Sequence, residues 1–110
     1  VVGESSFTVE DVLVEQCGLS GVFAYGTCVV GRCTNVEVRQ CGLSGVYAAN
    51  GASITLIGAK TTVHHNCTRT EGFSSICGLR VEASSSSTIE LVSPLTRDQV
   101  FFHNGGGGNW

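Results

Sequence analysis

Gln16-Cys17-Gly18-Leu19-Ser20-Gly21-Val22 recurs without change as Gln40-Cys41-Gly42-Leu43-Ser44-Gly45-Val46, an offset of 24 residues. Seven consecutive identities lie far outside chance, and the likeness runs on in both directions. Phe23-Ala24 is answered by Tyr47-Ala48, and Val12-x-Val14 by Val36-x-Val38. A third copy is degenerate: Asn66-Cys67 follows Gln40-Cys41, and Gly78-Leu79 resumes the Gly-Val step after an insertion at 68–76. His103-Asn104-Gly105 closes a fourth. A period between 20 and 50 residues is the mark of a solenoid, whose repeats bury their apolar faces only against their neighbours.

Each period holds three short segments in which apolar residues alternate, and Gly-containing turns separate them. Aligned between copies they form three columns: Val12/Val14, Val36/Val38 and Val100/Phe102; Val22/Ala24, Val46/Ala48 and Leu79/Val81; Cys28/Val30, Ile54/Leu56 and Ile89/Leu91. Alternation with period two puts one set of side chains on a single face, as in a strand. Three strands per period and about four periods predict an all-β chain, a right-handed parallel β-helix of roughly 24 residues per coil. Residues 1–110 read as a single domain with 68–76 as a loop leaving it, and the Val1-Val2 start reads as a fragment or processed part of a longer solenoid.

Composition agrees. Fifteen Val, four Ile and ten Thr suit strands, 15 Gly suit tight turns, and 42% hydrophobic against 14% charged residues is too apolar for a disordered tail. A net charge of −3 with six dispersed cations offers no basic face, so nucleic-acid partners are not expected. No apolar run is long enough to span a bilayer. Six Cys and the acceptor triplet Asn66-Cys67-Thr68 point to an extracellular, cell-surface or virion location, with Asn66 the candidate glycosylation site.

With its Gln-Cys-Gly-Leu-Ser-Gly-Val coils, its Ser84-to-Thr96 stretch and its Asn104-to-Trp110 ending, the chain resembles the right-handed parallel β-helix, or pectin-lyase-like, superfamily over essentially its whole length. More narrowly it is similar to β-helix repeat proteins of algae and of the large viruses that infect them. Enzymes of that superfamily act on acidic polysaccharides through clustered Asp residues and a basic residue. Here Asp11 and Asp98 are the only aspartates, and the Asp-rich and Asp-Pro-His signatures of such enzymes are missing.

Residues repeated in a column face each other across successive coils. Gln16, Gln40, Asn66 and Asn104 read as an amide column that satisfies turn backbone, and Glu15, Arg39, His65 and His103 as an outward column beside it. Phe23, Tyr47 and Arg80 stack outward as a candidate binding surface for carbohydrate or a protein partner. His64, His65, Cys67 and His103 contain metal-ligating types, yet closely spaced ligand pairs are missing and neighbours on a strand point to opposite faces. No metal or cofactor is expected. Cys17, Cys41 and Cys67 share a column; Cys67-Cys77 is a candidate disulfide across the insertion, with a reduced thiol ladder as the alternative and a local Cys28-Cys33 bridge as a further one. The nine carboxylates look dispersed, with Glu10-Asp11 splayed apart, and Gly105 to Gly108 lacks the Lys-Ser/Thr of a phosphate loop.

The expectation is a non-enzymatic structural or interaction module of a surface, virion or extracellular assembly, partnered by protein or carbohydrate and open to end-to-end or lateral oligomers. The alternatives are a polysaccharide-active protein of lyase or epimerase type and a carbohydrate-binding β-helix.

Overall fold

The computed structural model describes residues 1–68, 78–81, 86–105 and 108–110. The first coil runs through β1 (Val2–Gly3), β2 (Phe7–Glu10) and β3 (Leu13–Glu15), and the second through β4 (Val22–Tyr25), β5 (Val30–Thr34) and β6 (Glu37–Arg39). The third comprises β7 (Val46–Ala49), β8 (Ser53–Ile57) and β9 (Thr62–His64). The fourth comprises β10 (Leu79–Val81), β11 (Thr88–Leu91), the one-turn helix α1 (Arg97–Val100) and β12 (Phe101–Phe102). Each coil gives one strand to each of three four-stranded sheets, ordered β1-β4-β7-β10, β2-β5-β8-β11 and β3-β6-β9-β12. Every pairing is parallel. The chain is therefore a parallel β-helix of about four coils, and 24-residue spacing puts Val22 beside Val46 and Glu15 beside Arg39.

The core is the stack of inward columns. In the first sheet Val22, Val46 and Leu79 align, as do Ala24, Ala48 and Val81, and the Val and Ala residues of β4 and β7 are fully buried. Small Ala opposite larger Val, Ile and Leu lets three inward faces share a narrow interior at close-packed density. Val14, Val38, Val63 and Phe101 form the inward column of the third sheet. Among the described residues no buried polar side chain lacks a hydrogen-bond partner. No described helix is long and apolar enough to cross a membrane.

The second sheet departs from the expected columns. Ile54 and Ile89 lie beside Gly31 and Phe7, and Leu56 and Leu91 beside Cys33 and Val9, so Gly31 and Cys33, not Cys28 and Val30, are the inward residues of β5. Cys28 sits in a turn at φ 66° and is exposed, while Cys33 is buried in the core, so these two do not bridge. In the third sheet the inward residue of the last coil is Phe101, because α1 shifts the register by one and turns Phe102 outward. Val100 is buried from the helix itself. Val12 is 37% exposed where Val36 is fully buried, since Val12 lies in the end coil with one stacked neighbour. Of the 68–76 insertion only Thr68 is among the described residues, where its amide bonds to the Cys41 carbonyl, and Cys77 lies outside them.

Candidate functional site

The outward face of the first sheet carries the column Val2, Phe23, Tyr47 and Arg80, each paired in register with the next, with exposed Tyr25 edge-on to Phe23 at 6.0 Å between centroids. The rings of Phe23 and Tyr47 stack with centroids 4.9 Å apart at 21°, and the Arg80 guanidinium lies 4.5 Å from the Tyr47 centroid. All three candidate binding residues thus come together. The geometry decides what they can do: strands stack along the coil axis, so ring faces point at neighbouring coils and ring edges point at solvent. Tyr47 has one face against Phe23 and the other under Arg80, which leaves no open π-face on it for a sugar ring. What the column offers outward is aromatic edge and cationic charge. Leu19, 62% exposed, and Leu43 flank it and, with Val2 and Ser20, close a shallow cavity of about 170 Å³.

On the outward face of the third sheet Glu15, Arg39, His64 and Phe102 form a second column. The residue following Arg39 in this column is His64 and not His65, because His65 belongs with Gln16, Gln40 and His103 in a ladder of left-handed turn residues at φ 52–56°. Arg39 reaches Glu15 at 2.9 Å and Glu37 at 3.7 Å, and Glu37 Oε2 lies 3.0 Å from His64 Nε2. Two of the carboxylates read as dispersed therefore meet across one arginine. With side chains about one-third exposed, each of these pairs contributes roughly 0.2–1 kcal/mol. His64 also stacks on Phe102 at 4.9 Å and 5°, an arrangement that the expected inward position of Phe102 had hidden.

The left-handed turn also brings His64 and His65 together. Neighbours on an extended strand point apart, but His65 at φ 54° swings back, and its Nδ1 lies 2.6 Å from that of His64. His103 stands edge-on to His65 with centroids 5.3 Å apart. Among the described residues no three His, Cys, Asp or Glu side chains converge as a ready metal site.

The amide column is shifted by one residue from its expected register. Gln16 and Gln40 occupy the turn, and Asn66 and Asn104 follow it, pointing inward. Asn66 Oδ1 accepts from the Cys41 amide, and its Nδ2 donates to the Val38 carbonyl and to Asn104 Oδ1. Asn104 repeats the pattern one coil on, donating to the Val63 carbonyl and to Asn109 Oδ1. Asn66, the candidate glycosylation residue, is 2% exposed, and the nitrogen a glycan would use is the one engaged in this ladder. Cys17 and Cys41 precede that ladder in adjacent coils, and burial pushes the Cys41 thiol up to about 11, with smaller contributions of both signs from Cys17. Burial likewise raises the Cys33 thiol to about 11.

No family model, curated protein or solved structure matches this chain. The coil architecture itself supports a parallel β-helix. Sequence reasoning did not single out Glu37 or Asn109, and it faced Phe102 inward; of the three only Phe102 was hidden by a one-residue shift of register. The signal for the histidine shift was present: His65 falls where Gln16 and Gln40 fall if the copies are aligned on Val14, Val38 and Val63.

Proposed function

We propose that this chain is a non-enzymatic structural or interaction module, a rigid solenoid segment of a surface, extracellular or virion assembly. The observation that carries the reading is the Phe23-Tyr47-Arg80 column, in which both faces of Tyr47 are spent within the chain while ring edges, the cation and Leu19 remain outward. Such a surface of apolar edge plus Arg suits protein contact, where aromatic and Arg residues are enriched and Lys is not. It suits a stacked sugar poorly. The test pairs a glycan array with an ultraviolet assay for unsaturated products from pectate and alginate. The reading expects no glycan retained through Tyr47 and no product formed.

A polysaccharide-active reading is favoured by one arrangement, the Glu15-Arg39-Glu37-His64 cluster, which places carboxylate, cation and imidazole within contact distance. Turnover abolished by Glu37→Gln, or by changing Asp11, Asp98 or Glu90, would replace the structural reading with this one.

A further inference from the structure

We propose that His64 and His65 form a two-imidazole chelate for a first-row transition-metal cation, with their Nδ1 atoms as ligands and Glu37 as the positioning residue for His64. The argument begins with the tautomer. Glu37 Oε2 lies 3.0 Å from His64 Nε2, and a carboxylate there calls for an N–H on that nitrogen. A neutral imidazole has a single N–H, so His64 Nδ1 presents a lone pair, and it presents it to His65 Nδ1 at 2.6 Å. Metal-bound histidines are held in this way, by a carboxylate on the nitrogen remote from the ion. Phe102, stacked flat on His64 at 4.9 Å, fixes the ring plane from the neighbouring coil.

With both rings neutral and no metal bound, the rings share one hydrogen, carried by His65 Nδ1. A cation entering between them takes both lone pairs, and that hydrogen moves through solvent to His65 Nε2, so no net proton has to leave. Two bonds of about 2.1 Å meeting at 90° put their nitrogens about 3.0 Å apart, so the nitrogens must part by about 0.4 Å and the rings must turn until both Nδ1 lone pairs converge on the ion. A tetrahedral pair needs about 3.3 Å, which favours octahedral Ni²⁺ or tetragonal Cu²⁺ over Zn²⁺. His65 is exposed and His64 half-buried, so water completes the coordination. His103, edge-on to His65, borders the site without belonging to it.

The site is tested by calorimetric titration of the full chain with NiCl₂ at neutral pH, alongside paramagnetic broadening of histidine side-chain resonances. His65→Gly keeps the left-handed turn while removing the ring, so it reads binding without disturbing the fold. The expected result is one Ni²⁺ per chain, broadening centred on His64 and His65, and affinity lowered at least about tenfold in His65→Gly and His64→Gln, and by a smaller factor in Glu37→Gln. His103→Ala should stay within threefold of the parent chain. Ni²⁺ affinity in His65→Gly within threefold of the parent, a loss in His103→Ala as large as in His65→Gly, or broadening centred on cysteines would each overturn the assignment.

Discussion

The ring of Phe7 fills the space that a side chain on Gly31 would need. A Cβ built at Gly31 meets Phe7 Cζ at 2.5 Å, while Ile54 and Ile89 occupy the same column in the next two coils. One coil therefore supplies the apolar volume that its neighbour omits, and the column stays filled. Gly31→Ala is expected to lose about 2 kcal/mol by overpacking, and Phe7→Ala a similar amount by leaving a void. Because each change relieves the other, Phe7→Ala with Gly31→Ala should be at least about 1 kcal/mol more stable than the sum of the single losses. Urea denaturation of the four proteins measures this directly. Simple additivity would mean that the two residues do not share the space.

Asn66 ties the second, third and fourth coils together from inside. Replacing it by Ala strands the buried Cys41 amide and takes a donor from the buried Val38 carbonyl, and should cost about 3 kcal/mol. Asn66→Asp is expected to be worse at neutral pH, since a carboxylate cannot donate to Val38 and would face Asn104 Oδ1 as a like acceptor. Protonation restores a donor, so the deficit of Asn66→Asp should shrink as pH falls towards 4, where Asn66→Ala shows no such recovery. Folded protein recovered from a secretory expression host should carry no glycan at Asn66, and intact-mass measurement checks this.

How far the sequence could be read follows from what repeats in it. The 24-residue identity ran through the turn after β3 and into β4, so the first sheet and the outward Phe23-Tyr47-Arg80 column were legible residue by residue. Alternation alone could not register β5, where Val30, Cys28 and Cys33 are all apolar and the decisive inward residue is a glycine. Nor could it foresee that α1 would shift Phe101 inward, or that left-handed backbone at His65 would set His64 and His65 ring to ring. In each case a single residue of register, controlled by turn conformation, reverses the face of a strand.

Alkaline pH should weaken the fold through two buried thiols. Burial raises Cys33 and Cys41 to about 11 from an ordinary value near 9, so the folded chain holds these protons after the unfolded chain has lost them. Stability from this source is complete below pH 9 and declines as pH rises towards 11. Thermal unfolding across that interval should show a falling midpoint, and Cys33→Ala with Cys41→Ala should flatten the dependence. In native protein at pH 8, exposed Cys28 should alkylate well before either buried thiol; equal rates would contradict their placement.

The repeated heptapeptide contains two glycines with opposite demands. Gly18 has nothing within 4 Å of a Cβ, whereas a Cβ at Gly45 would collide with Val63 Cγ1, approach Asn66 Nδ2 at 2.7 Å and meet the Gly78 carbonyl at 3.1 Å. Gly21, the same position one coil earlier, is closed by Val38, the Gly45 carbonyl and the Cys41 sulfur. The coils pack through these later glycines, which let one turn lie against the next and let the asparagine ladder pass between them. Gly45→Ala should therefore lose about 2–3 kcal/mol, whereas Gly18→Ala should fall within about 0.5 kcal/mol of the parent. In thermal unfolding that difference is at least several degrees for a domain of this size. Equal losses at the two positions would show that the glycines serve turn conformation alone and that coil-to-coil contact does not constrain them.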